Sequence, residues 1–204
     1  SPIVGFISIR YTLPLFMLSY SDLKRGITFR YEGEPYEVVG SDFLRMQMRK
    51  PVMQVRMRNL KNGKVIERNF HQNESFEEIE LERQPMVFLF MHRDQYTFQK
   101  PGDPKTRMSL TDAVIGEAAK YLKSNLPVDF RKIGDEIIGV SVPIKIDYVV
   151  KEAPPTEKGN TAQGGTKEVV LENGLALQVP FIINAGDTLR INTDSGEYVE
   201  RAKA

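Results

Sequence analysis

The sequence predicts an all-β protein made of three small barrels, on three observations. Short runs alternate apolar and polar residues, and turn residues recur every 8–12 positions or so, roughly the spacing of small β domains. The runs group into three consecutive units of roughly 55–70 residues, a size that suits small barrels better than one sandwich. Only one stretch, residues 110–124, has the pattern of a helix, whereas a parallel α/β fold would alternate helices with strands throughout.

The elements follow in order. Residues 2–9 and 13–18 are apolar, but Arg10 separates them and the run is shorter than the ~20 residues that span a bilayer. A cationic leader segment and a small-residue cleavage site do not stand in order, which argues against a signal peptide. Met17-Leu-Ser-Tyr-Ser-Asp-Leu-Lys24 reads as a natural protein start, so residues 1–16 are expected to be an upstream extension outside the fold. Residues 29–39 read as strand, turn, strand, with Glu32-Gly33-Glu34-Pro35 as the turn. Pro51 interrupts the extended run after Asp42. Beyond it Val52, Gln54, Arg56 and Arg58 alternate with Met53, Val55 and Met57, the mark of a half-buried strand. Asn62-Gly63 then signals a hairpin into a return strand over 65–70.

Residues 77–84, 86–91 and 95–99 read as strands, with Arg93-Asp94 as a turn and 100–104 as a loop. Ser109-Leu-Thr-Asp112 has the pattern of a helix N-cap, and Pro127 closes the helix it opens. Residues 140–150 alternate as one strand, and Ala153-Pro154-Pro155 breaks it. The last unit is expected to hold strands over 168–171, 176–180 and 188–191 and a closing strand through Tyr198.

Composition removes several chemistries. The chain has no cysteine, which excludes disulfides, thiolate metal sites and cysteine nucleophiles and fits a reducing compartment. Its two histidines, His71 and His92, lie far apart with no ligand at metal spacing, so neither a metal nor another cofactor is expected. Glu77, Glu78, Glu80 and Glu82 read as a solvated strand face and not as an acid–base pair. Charge is uneven: residues 41–60 carry five cations against one acid, and residues 148–204 carry six cations against eight acids. The cations Arg45, Arg49 and Lys50 lie in one hairpin tip, Arg45-Met-Gln-Met-Arg-Lys-Pro51, where they can reach phosphates or stack on bases. Methionines in the same tip add adaptable, polarizable contact. The glycine- and threonine-rich stretch 158–167 lacks the Gly-Lys-Ser/Thr order of a nucleotide-binding loop, which leaves it as a barrel loop.

Several blocks carry a resemblance. They are Ser21-Asp-Leu-Lys-Arg-Gly26, Gly33-Glu-Pro-Tyr36, Arg58-Asn-Leu60, Gly63-Lys64, Phe70, the stretch 158–167, Pro180-Phe-Ile-Ile-Asn-Ala-Gly-Asp187, and Ser195-Gly-Glu-Tyr198 followed by Arg201. From about Met17 onward the chain resembles the bacterial elongation factor P family. The resemblance implies an L-shaped molecule with an SH3-like, KOW-type barrel over 17–82 and two OB-folds over 83–148 and 149–204. It implies a cytoplasmic, monomeric, non-enzymatic factor with no cofactor and no membrane contact. Such a factor binds both ribosomal subunits between the peptidyl and exit tRNA sites, and it orients peptidyl-tRNA so that ribosomes stalled on consecutive prolines resume. The tip Arg45, Met48, Arg49 and Lys50 would face peptidyl-tRNA. Met48 aligns with the residue that family members commonly modify, a lysine or arginine, and methionine accepts neither modification. The factor is therefore expected to work unmodified or to be modified at Arg49 or Lys50. Gly159, Asn160 and Thr161 match a loop that approaches the small subunit, and Tyr198 and Arg201 match residues implicated in tRNA or ribosome contact. Two other readings stand beside it. One is a generic OB-fold binder of single-stranded RNA or DNA, disfavoured because Tyr96, Phe98, Phe130 and Tyr148 are spread singly. The other is a protein tethered to a membrane through residues 1–18.

Overall fold

A computed structural model describes residues 16–45, 50–155 and 165–202. The chain divides into two compact units, Ser1–Leu81 and Glu82–Ala204, and each has its own apolar core. The upstream extension expected over 1–16 lies outside the described residues except for Phe16. Among the described residues no helix is long and apolar enough to cross a membrane.

The first unit is one antiparallel sheet. Its strands are β1 (Met17–Ser19), β2 (Thr28–Tyr31), β3 (Glu34–Leu44), β4 (Val52–Asn59), β5 (Val65–His71) and β6 (Ser75–Glu78), in the order β1-β6-β2-β3-β4-β5. Glu32 and Gly33 both have positive φ, 50° and 82°, which makes the two-residue turn that matches the right-handed twist of its flanking strands. In β4 the expected alternation holds: Met53, Val55 and Met57 are buried, while Arg56 and Arg58 are exposed. They pack with Phe29, Phe70 and Phe76, whose rings meet edge to face at 4.7–6.4 Å. The β4–β5 connection is wider than the Asn-Gly pair alone implies. The buried Asn59 organises it, its Oδ1 accepting from the N–H of Lys61 at 2.8 Å and of Asn62 at 3.1 Å. Gly63, at φ 73°, closes the loop in a conformation that costs other residues strain.

The second unit opens with β7 (Glu82–His92), β8 (Gln95–Lys100), β9 (Asp103–Thr111), the helix α1 (Asp112–Ile115), a 3-10 stretch over Gly116–Tyr121, β10 (Pro127–Ile133) and β11 (Glu136–Ser141). These strands order as β11-β10-β7-β8-β9, with α1 bridging β9 and β11. The remaining strands are β12 (Lys145–Glu152), β13 (Thr166–Leu171), β14 (Ala176–Pro180), β15 (Thr188–Asn192) and β16 (Glu197–Arg201), ordered β14-β13-β12-β15-β16. Among the described residues the protein is thus all-β, with three sheets and one short α-helix.

Four local expectations are corrected. The helix over 110–124 reduces to Asp112–Ile115, because Leu110 and Thr111 finish β9 and Gly116 leaves helical space at φ 57°, ψ −136°. Ser109, read as its N-cap, sits in β9 beside the Thr97 hydroxyl at 3.3 Å. The strand over 140–150 is two strands, interrupted where Pro143 has no N–H to give to a ladder. The strand over 77–84 breaks at residues 79–81: the buried Ile79 donates its N–H to the Thr28 carbonyl and its carbonyl accepts the Thr28 hydroxyl. Lastly, residues 100–104 form a tight turn, with Lys100 opposite Asp103.

The expected boundary between residues 148 and 149 falls inside β12. That strand pairs with β15 from Lys145↔Asn192 to Val149↔Thr188, so the third sheet begins before the boundary. The second and third sheets share one apolar core, which runs from Met86, Phe98 and Phe130 to Tyr148, Leu171 and Ile191. Polar ties join the segment between α1 and β10 to the third sheet. Tyr148 Oη donates to the Tyr121 carbonyl. Lys123 Nζ donates to Glu172 at 3.0 Å, and Asn173 Nδ2 to the Lys120 carbonyl at 2.9 Å.

Candidate nucleic-acid interface

The predicted site residues fall in two places. In the first unit, β3 and β4 pair from Tyr36↔Asn59 to Leu44↔Val52, with one extra residue at Val39. Such a bulge bends a hairpin and raises its twist. The paired strands carry the connection 45–51 at their far end. Arg45 and Lys50 flank that connection and are both exposed, while Met48 and Arg49 lie outside the described residues. At its root Phe43 is 52% exposed, and its ring centre stands 6.4 Å from that of Tyr20. Further down, the Arg56 guanidinium lies over Gly40, with Nη2 3.0 Å from where a Cβ would stand. A side chain at position 40 would displace that cation.

The second place is the third sheet. Gly159, Asn160 and Thr161 lie outside the described residues, but the flanks of their loop are held. Lys167, buried, donates from Nζ to the Pro154 carbonyl at 3.1 Å. Gly165 accepts the Phe181 N–H at 3.2 Å, and a Cβ on Gly165 would stand 2.0 Å from the Phe181 ring. Tyr198 is half-buried in β16 opposite Ile191 and packs against the shared core. Arg201 pairs with Asp187 at 3.1 Å. Arg190 grips Asp147 with two hydrogen bonds of 2.8 and 3.0 Å and reaches Glu200 at 2.9 Å. Hydrogen bonding from Arg190 holds the Asp147 carboxyl below the usual carboxylate range. The arrangement presents cations and aromatic faces. Among the described residues it contains no cluster of three metal-ligating side chains.

Residues 19–76 match a family model described as the elongation factor P (EF-P) KOW-like domain. Residues 146–201 match one described as elongation factor P, C-terminal. The chain is 38% identical over 187 residues to elongation factor P of Thermodesulfovibrio yellowstonii, covering 92% of this chain and 100% of that one. It is 36% identical over 188 residues to elongation factor P of Moorella thermoacetica, covering 91% and 100%. The chain belongs to the elongation factor P family.

The KOW-like match runs from the last residue of β1 into β6, and the C-terminal match spans β12 to β16. The latter begins one residue into β12, in agreement with the sheet pairing. Four residues that shape the molecule are not marked by the sequence: Asn59, Phe43, Gly40 and Phe90. Arg58-Asn-Leu60 carried only family likeness, because nothing in a single sequence says that an asparagine is buried. Phe43 and Phe90 read as ordinary apolar strand positions.

Proposed function

We propose that this protein binds the ribosome between the peptidyl and exit tRNA sites and positions peptidyl-tRNA, relieving stalls at consecutive prolines. It acts as a cytoplasmic monomer and performs no chemistry of its own. Its contribution is to hold reactants in geometry, which lowers the entropic part of the barrier. Family membership supports the translation role. The observation that carries the finer reading is the β3–β4 hairpin, which presents Arg45 and Lys50, exposed, on either side of its tip. Cations on a protruding hairpin make charge-assisted contacts to phosphate. On this reading Met48 leaves the tip without the usual modifiable side chain, and Arg49 and Lys50 take over. Gly159, Asn160, Thr161, Tyr198 and Arg201 face ribosome or tRNA at the other end of the chain. The generic single-strand binder loses ground: of Tyr96, Phe98, Phe130 and Tyr148, the last three are each 0% exposed, which leaves Tyr96 alone and not a row of stacking platforms.

The test is reconstituted translation of a polyproline reporter with wild type, Arg45→Ala, Arg49→Ala and Lys50→Ala, together with intact-mass measurement of native protein. Wild type is expected to raise full-length product, and Lys50→Ala or Arg49→Ala to lose most of that gain. Absence of stimulation by wild type would overturn the proposal. A mass excess mapped to Arg49 or Lys50 would replace the unmodified tip with a modified one.

A further inference from the structure

A groove of 510 Å³ opens beside β7 in the second unit. Its volume falls within the roughly 300–1,000 Å³ typical of small-ligand sites. One side is aromatic: Phe88, Phe90 and Tyr96 line it, with Met91 at its edge. Leu89 is an extra residue in β7, so Phe88 stands opposite Phe98 and Phe90 opposite Thr97. A bulge of this kind re-aims the strand end, and Phe90 leaves the buried position that regular alternation after Phe88 would give it. Phe90 is 47% exposed, although it is a large apolar residue. Tyr96 is fixed by its hydroxyl, which donates to Asp112 at 3.2 Å, and its ring stands 6.2 Å from that of Phe88.

The opposite side is polar. Lys123 Nζ spends two of its three N–H groups on the Asp147 carbonyl, at 2.6 Å, and on Glu172, at 3.0 Å. One donor remains for an incoming group. Ser124 is exposed and lines the groove beside it. Asn173 is already committed to the Lys120 carbonyl and the Leu175 N–H, so it holds the rim and does not read a ligand.

We infer that this groove takes one unpaired nucleobase of single-stranded RNA, stacked on Phe90 and Tyr96, with the Lys123 ammonium and the Ser124 hydroxyl meeting its polar edge or phosphate. Rings favour a π-face, and stacking on them tolerates any base. An aliphatic side chain from a partner protein would cover the rings but offer no acceptor to the Ser124 hydroxyl or to the third N–H of Lys123. The inference rests on the proposed translation role for the identity of the ligand as RNA.

The experiment titrates wild type, Phe90→Ala and Phe90→Leu into a short single-stranded RNA carrying one 2-aminopurine, and into the same RNA annealed as a duplex. Stacking quenches the probe. A 4-thiouridine version of the RNA is photo-crosslinked and the adduct mapped. Phe90 is half outside the core, so neither replacement empties it. The expected result is quenching by the single strand only, a crosslink within β7–β8, and about tenfold weaker binding for both variants, the size of one lost base stack. Wild-type affinity in Phe90→Leu would overturn the inference and assign the groove to an aliphatic side chain. Equal quenching with the duplex, or a crosslink elsewhere, would overturn it as well. The polyproline reporter separates the two readings: stimulation without probe binding removes this site alone, and probe binding without stimulation removes the translation role alone.

Discussion

Replacing Tyr148 by Phe tests how the second unit is held together. Tyr148 is 0% exposed, and its hydroxyl donates to the carbonyl of Tyr121, at the end of the 3-10 stretch that packs on the shared core. Burial pushes its phenol well above the usual tyrosine range, so it stays a protonated donor throughout the neutral range. Phenylalanine keeps the ring and its packing, so no cavity forms. What changes is one hydrogen bond and one carbonyl, left buried without its donor, a loss of about 1–3 kcal/mol. At about 4 °C per kcal/mol for a unit of this size, Tm falls by about 8 °C for a 2 kcal/mol loss. Urea unfolding followed by circular dichroism would measure it, with the slope m unchanged because the exposed surface is unchanged. Hydrogen exchange would show β10 and β12 losing protection together. A loss under about 0.5 kcal/mol, well below the cost of an unmet buried carbonyl, would mean that Tyr121 finds another donor. Lost protection confined to the third sheet would refute the shared core.

Asn59→Ala removes the acceptor for two loop N–H groups and is expected to destabilise the first unit by about 1–2 kcal/mol. Thermal melts with exchange mapping should place the loss in Ser1–Leu81 and leave Glu82–Ala204 unchanged; loss spread over both would contradict the division. Acid titration addresses Asp147. Its folded carboxyl lies below the ordinary value, so the unfolded chain takes up the proton first and stability falls as pH drops below about 4. Asp147→Asn should flatten part of that acid slope, and since the side chain is 42% exposed the effect at neutral pH stays under about 1 kcal/mol. An unaltered acid profile in the variant would show that the Arg190 pairing does not contribute.

Much of the fold was written in alternation and turn chemistry. Val52 to Arg58 declare their buried and exposed faces because a half-buried strand must alternate. Glu32-Gly33 and Arg93-Asp94 both form the turns expected of them, with positive φ at both residues of each. The failures share a cause: tertiary pairing overrode local pattern. Ser109-Leu-Thr-Asp112 looks like a cap, yet Thr97 claims Ser109 for the sheet. Residues 140–150 alternate, yet Pro143 gives no N–H to a ladder and the chain changes sheets there, so one alternating run becomes two strands. The candidate tip was visible as charge density. The aromatic groove was not, because a bulge leaves no mark in composition and Phe90 resembles any strand residue.

The membership of β12 has a practical consequence for dissecting the molecule. The sequence invites a cut at Ala153-Pro154-Pro155, which reads as a linker. A fragment starting there would lack the central strand of the third sheet, so that β13 and β15 would each lose their neighbour. It would also lack Ile146, Tyr148 and Val150, which fill the core. Starting at Lys145 restores the strand but leaves the apolar face that Tyr121, Leu122 and Leu126 normally cover open to water. The smallest piece that retains both partners begins at Glu82, so isotopic labelling or fragment complementation should treat residues 82–204 as one indivisible half of the chain.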